Sequence, residues 1–103
     1  MALQEMSDEQ RQAALAKAAE ARRTRAEIKQ LLKTGTLTLP EVLERAETDD
    51  VVAGTKVASL IVSMPGMGKI STKRLMEEYG IAENRRIRGL GSRQREVLVE
   101  HFS

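Results

Sequence analysis

The chain has 103 residues, 17 basic and 15 acidic side chains, one His and no Cys, and a formal net charge of +2. That length allows at most one ordinary domain with an appendage. The missing thiols argue against a disulfide framework or a thiolate zinc site, and a lone His101 beside the C-terminus argues against a histidine-based metal centre.

No apolar run approaches the roughly 20 residues that cross a bilayer, and the opening MALQEMSDEQ lacks a basic-then-apolar leader, so a cytoplasmic protein is expected. Tyr79 and Phe102 are the only aromatics, so the core must be aliphatic, and the heavy use of Ala favours helix.

In chain order, Ser7-Asp8-Glu9-Gln10 has the S-x-x-Q form of a capping box, and no Gly or Pro follows until Gly35. One long helix is expected from Ser7 to Lys33. Its apolar stripe is mostly Ala at first and strengthens only at Ile28, Leu31 and Leu32, so the first half is expected to project. Arg22, Arg23 and Arg25 on this helix read either as a solvated face or as a second basic surface. Thr38-Leu39-Pro40-Glu41 restarts a helix, with Val42, Leu43 and Ala46 facing inward. ETDD reads as a negative turn, and Gly54 closes a short apolar piece from Val51 to Ala53.

From Thr55, the residues Val57, Leu60, Ile61 and Met64 recur at helical spacing until Pro65-Gly66. A further helix after the glycines should bury Ile70, Leu75, Met76 and Tyr79 and stop at Gly80. IAENRRIRGLG reads as a double turn anchored by Ile87 and Leu90. Ser92 is expected to cap a last helix burying Val97, Leu98 and Phe102. No alternating strand pattern is present. The expected fold is all-α: a basic N-terminal helical unit over residues 1–35, then a compact helical unit over 36–103.

The modest net charge hides an uneven distribution. Residues 34–55 carry one basic and five acidic side chains, whereas Lys69 to Arg95 carries eight basic and three acidic ones. That basic segment opens with MPGMGKI. A nucleotide-binding P-loop would need Gly where Ser63 stands, a hydroxyl where Ile70 stands, and a preceding strand, so that reading fails. A hairpin between two helices remains. Gly66 and Gly68 let the backbone turn and approach a ligand closely. The backbone N–H groups at the start of the next helix favour an anion, and Lys69 adds a charge beside them. Such a device grips phosphate without reading a base; the plainer reading is a tight interhelical turn.

NRRIRGLGSRQR then places Arg85, Arg86, Arg88, Arg93 and Arg95 in eleven residues, with no acid between Glu83 and Glu96. Guanidinium groups suit bidentate phosphate contacts, and the helix start at Ser92 offers a second set of backbone donors. Arg95 has acids on its own helix to pair with and is left out of the set.

These residues carry a resemblance. The run from LIVSMPGMGKIS through RRIRGLGSRQ resembles the helix–two-turns–helix segment of the small-subunit ribosomal protein thirteen. The whole chain, from its MAL…EQR…AAL start through PG.GK and RR.RGLG, resembles the actinobacterial integration host factors, which are nucleoid-associated proteins. The resemblance implies a monomeric all-α protein of the nucleoid, without cofactor or small-molecule substrate. It would bind duplex DNA through phosphates with little sequence preference, bend or compact it, and assist phage integration and transcription. It also implies that Gly66, Gly68, Lys69, Arg85, Arg86 and Arg88 contact DNA; Ser92 and Arg93 follow from the helix start. Arg22, Arg23 and Lys56 would form a possible second DNA surface. Position 72 is Thr where the hairpin pattern has Ala, which implies looser helix packing there.

The alternative is an RNA-binding protein of ribosomal type, against which stand the missing basic tail and the missing aromatic platform for bases. An enzyme that flips bases needs a pocket and a nucleophile or acid, for which this chain is short. A coiled-coil partner would need stronger heptads than AALAKAAEARR provides.

Overall fold

A computed structural model describes residues 7–102; residues 1–6 of the unit expected over 1–35, and Ser103, lie outside the described residues. Among the described residues the chain is helical, with one isolated bridge and no strand. The first helix, α1 (Asp8–Lys33), starts from the expected box. The Gln10 N–H donates to Ser7 Oγ at 3.1 Å, and the Ser7 N–H donates to Gln10 Oε1 at 2.9 Å. With 26 residues α1 is roughly 39 Å long, yet only Ile28 and Leu32 on it are buried. Leu15 is 63% exposed. The outer half therefore extends beyond the core. The radius of gyration, 15.9 Å, exceeds the roughly 13 Å of a compact chain this size for that reason.

Gly35, at φ +78°, ends α1. The second helix, α2 (Leu39–Arg45), is capped by Thr38: the Glu41 N–H donates to Thr38 Oγ1 at 3.3 Å, and the Thr38 N–H donates to Glu41 Oε1 at 2.9 Å. These donations from the Thr38 backbone and side chain hold the Glu41 carboxyl below the usual carboxylate range. A one-turn helix, α3 (Asp50–Ala53), follows where only a loose apolar piece was expected. It forms because Asp49 Oδ1 accepts from the N–H groups of Val51 and Val52. Next come α4 (Val57–Val62), α5 (Lys69–Glu78), a 3₁₀ turn (Ile87–Gly89) and α6 (Ser92–His101).

One aliphatic core joins all of them. Leu32, Leu39, Val42, Val52, Leu60, Ile61, Ile87 and Leu98 are its most enclosed side chains. Helix α4 is the centre, packed on α1 on one side and α5 on the other. The end of α5 forms a Schellman closure at Gly80, φ +66°. The Ile81 N–H donates to the Met76 carbonyl at 2.8 Å and the Gly80 N–H donates to that of Glu77 at 3.2 Å, with Ile81 and Met76 both buried.

Four sequence expectations shift. Helix α4 starts at Val57, because Thr55 and Lys56 are extended and paired elsewhere. Ile70 is 72% exposed. The buried stripe of α5 is Thr72, Leu75, Met76 and Tyr79, the last only half-buried, and a residue two before Thr72 points to the opposite face. Val97 is half-buried while Leu98 carries the α6 core contact. The N-cap of α6 is Gly91, so Ser92 is its first helical residue.

Thr72 is 5% exposed and its hydroxyl has no partner. A buried hydroxyl without a hydrogen bond destabilises. Thr72→Ala should therefore raise stability by up to about 1 kcal/mol in urea unfolding. Gly80→Ala should lower it by about 1 kcal/mol through its left-handed φ alone, since no atom lies within 4 Å of the added Cβ.

Because the Glu41 carboxyl titrates lower when folded than when unfolded, its contribution is present above the unfolded value and is lost as pH falls through the folded one. Acid unfolding of wild type and Glu41→Gln should thus differ in slope below the ordinary carboxylate range. Identical acid limbs would show that the cap is not titrating.

Candidate nucleic-acid interface

The hairpin between α4 and α5 is built by its own backbone. The Met67 N–H donates to the Met64 carbonyl at 3.0 Å across Pro65-Gly66, and Gly66 takes φ +79°. Glycine is required there by conformation. Gly68 is different: its φ is −129°, which any residue adopts, and nothing lies within 4 Å of where its Cβ would stand. Neither local conformation nor packing calls for glycine at 68. What its missing side chain leaves is open space in front of α5.

That helix start has no side-chain acceptor. The Gly68 N–H donates to Ser71 Oγ at 2.8 Å, but the next N–H groups, of Lys69, Ile70 and Ser71, have no carbonyl one turn back within the helix. The start of α6 repeats the arrangement, with the Gly91 N–H on Gln94 Oε1 at 3.0 Å and no side-chain cap. In α1, α2 and α3, by contrast, Ser7, Thr38 and Asp49 fill this role.

The arginine-rich turn is fixed to the junction of α3 and α4. Lys56 and Arg86 form an antiparallel bridge. Around it the Val57 N–H donates to the Arg85 carbonyl at 2.9 Å and the Ile87 N–H to the Thr55 carbonyl at 3.0 Å. The Arg86 guanidinium donates to the Gly54 carbonyl, and Arg25 Nε of α1 donates to the Val51 carbonyl at 3.4 Å. A Cβ on Gly54 would stand 3.2 Å from Arg25 Nη2, 3.2 Å from the Asp50 carbonyl and 3.6 Å from Arg88 Nη1. Three arginines thus converge on one glycine.

Three adjoining depressions, of about 260, 300 and 240 Å³, run along the outer edge of α4 and share Ser59. The first, against α5, is lined by Lys69, Lys73 and Glu83 among others. The second, against α1, includes Lys29 and Lys33. The third includes Arg25, Lys29, Lys56 and Arg86. Seven basic residues therefore flank one helix edge, with Glu83 the single acid among the lining residues.

The expected residues divide accordingly. Lys56, Lys69 and Arg86 line this face, with Gly66 and Gly68 at the hairpin beside Lys69 and Arg88 over Gly54. Arg85 folds back to donate to the Gly89 carbonyl at 2.7 Å. Ser92 and Arg93 line a separate depression with Glu96 and Glu100, and Arg93 lies 3.8 Å from Glu96. Arg95 bonds the Leu43 carbonyl at 2.9 Å and pairs with Glu47, not with an acid of its own helix. Arg22 and Arg23 are exposed and line none of the three depressions.

Sequence reasoning grouped Arg25 with Arg22 and Arg23 and missed Lys29 and Lys33, although the i, i+4, i+8 spacing of Arg25, Lys29 and Lys33 puts them on one helix face. Among the described residues no group of His, Asp and Glu is placed to hold a metal ion, and no helix is long and apolar enough to cross a membrane.

Residues 32–102 match the family model of the S13-like H2TH domain. The chain is 52% identical to the integration host factor of Mycolicibacterium smegmatis, over 99% of this chain and 97% of that one. It is 49% identical to the integration host factor of Streptomyces coelicolor, over 99% and 95%. Among solved structures it resembles sIHF bound to an 8 bp palindromic DNA, at 46% identity and a TM-score of 0.83, covering 85% of this chain and 99% of that one.

Hydrogen exchange should separate the two kinds of backbone group at this face. The Val57 and Ile87 amides, bonded across the bridge, should exchange slowly and together, whereas those of Lys69 and Ile70 should exchange near the intrinsic rate. Fast exchange at Ile87 would contradict the bridge as the clamp of the arginine turn.

Proposed function

The chain belongs to the integration host factor family, and on that premise we propose that it is a non-enzymatic, nucleoid-associated protein that binds duplex DNA through the phosphate backbone as a monomer. The observation that carries this reading is the acid-poor cationic face along α4, which meets an open helix start at Gly68.

The mechanism is electrostatic. One duplex phosphate sits before the free N–H groups of α5, where the helix dipole favours an anion and Lys69 adds a mobile charge. The arginine turn, held by its bridge to Thr55–Val57, carries Arg86 and Arg88 for phosphates further along. Arg85, folded on Gly89, supports the turn and adds charge to it. The solved relative carrying DNA supports a duplex as the partner. Holding several phosphates against a fixed surface favours one curvature of the duplex, which is how such a protein bends or compacts DNA and assists phage integration or transcription. None of these groups reads a base edge, so binding should be nearly indifferent to sequence.

With about five phosphates neutralised, the slope of log K against log salt should be near −4.5, measured by fluorescence anisotropy on a short duplex. Lys69→Ala should reduce the slope by about one unit on every sequence tested. Gly68→Ala should leave urea stability within about 0.5 kcal/mol yet weaken binding, because its Cβ enters only the space reserved for phosphate. Unchanged affinity in Gly68→Ala, or tighter binding to duplex RNA of the same sequence, would overturn the reading.

A further inference from the structure

The depression of about 240 Å³ where α1 meets the α3–α4 junction has a composition of its own. It is lined by Arg25, Lys29, Thr55, Lys56, Ser59 and Arg86, with neither an acid nor an aromatic side chain. It shares only Ser59 with the depression beside Lys69. We infer that it is a phosphate socket separate from the glycine hairpin, taking one or two adjoining phosphate groups. Where the phosphate belongs to a duplex, the inference rests on the DNA reading above; where it belongs to a free oligophosphate, it stands alone.

The donors are pre-set. Arg25 is held by its Nε on the Val51 carbonyl and Arg86 by one terminal nitrogen on the Gly54 carbonyl, so each guanidinium keeps further N–H groups in a fixed orientation. The Thr55 hydroxyl is 3.0 Å from the Val51 carbonyl and donates there, which leaves Ser59 as the hydroxyl donor. Lys29 and Lys56 bring compact charges.

Four positive groups around one small volume repel one another. The ion pairs found among the described residues, Arg93 with Glu96 and Arg95 with Glu47, involve none of them. A polyanion removes that repulsion. The volume equals roughly eight waters, room for two phosphate groups. With no surface on which a base could stack, recognition is of phosphate alone.

The test has two arms and uses the full chain. Inorganic triphosphate is titrated into ¹⁵N-labelled protein, and a short duplex is titrated by anisotropy. Each is run with wild type, with Lys29→Ala/Lys56→Ala, and with Arg11→Ala/Lys17→Ala. The last removes the same charge from the exposed outer part of α1.

Saturable amide shifts at Thr55, Lys56 and Ser59, with at least tenfold weaker triphosphate binding in the first variant and less than twofold in the second, establish a free-oligophosphate site. The same contrast in duplex affinity without triphosphate binding assigns the socket to a DNA phosphate. Equal effects of the two variants in both arms overturn the inference. In that case Lys69→Ala still decides the DNA reading, so the two can fail separately.

Discussion

The cationic face along α4 depends on the short antiparallel bridge between Lys56 and Arg86. Its two backbone hydrogen bonds contribute about 1 kcal/mol each. Beside them Ile87, only 2% exposed, contributes roughly 1.5–3 kcal/mol by burial. Against this stand the like charges of Arg25, Arg86 and Arg88 gathered at Gly54, whose mutual repulsion salt screens in part. The bridge and its apolar anchor oppose that repulsion. Ile87 holds the arginine turn in place, where charge alone would push it away. The carbonyls of Val51 and Gly54 at the end of α3 help from the other side, by accepting from Arg25 and Arg86.

The helix ends divide the chain in two. Ser7, Thr38 and Asp49 close the first three helices with side-chain acceptors, each worth about 1 kcal/mol. At α5 and α6 glycine stands in that position, with no side-chain acceptor. Without a side-chain acceptor these starts forgo that stabilisation and leave their backbone donors open. The hairpin shows this residue by residue: Gly66 is glycine because its φ demands it, whereas Gly68 is glycine with no internal demand at all.

Much of the fold was legible because it is encoded locally. Both capping boxes, the φ-positive stop at Gly80 and the 3.6-residue stripes of Val57–Ile61 and Leu75–Met76 can be read from neighbours in sequence. The hairpin and the arginine turn were legible for the same reason. What escaped was set by distance along the chain. Arg86 meets Gly54 and Arg25 meets Val51 across 32 and 26 residues, contacts that no local pattern announces. Ile70 was placed inside because it is apolar, but the stripe of α5 starts at Thr72. The ETDD run was read for its charge, when the one feature that mattered was an Asp able to cap.

The long helix α1 shows how core and charge are one constraint here. Its buried core contacts are Ile28 and Leu32, and Leu31 packs half-buried beside them. The two buried residues fix the rotation of the helix about its axis, and each later residue turns by about 100°. Lys29 and Lys33 follow Ile28 and Leu32 directly, so their direction is settled by the same packing, and it brings both against the edge of α4. Arg25, one turn before Lys29, lies on the same stripe and reaches the α3 carbonyl end. Two buried aliphatic side chains therefore place three cations. The outer half of α1 has no such anchor: its alanines suffice for helix but give nothing to bury, so it stays exposed along nearly its whole length.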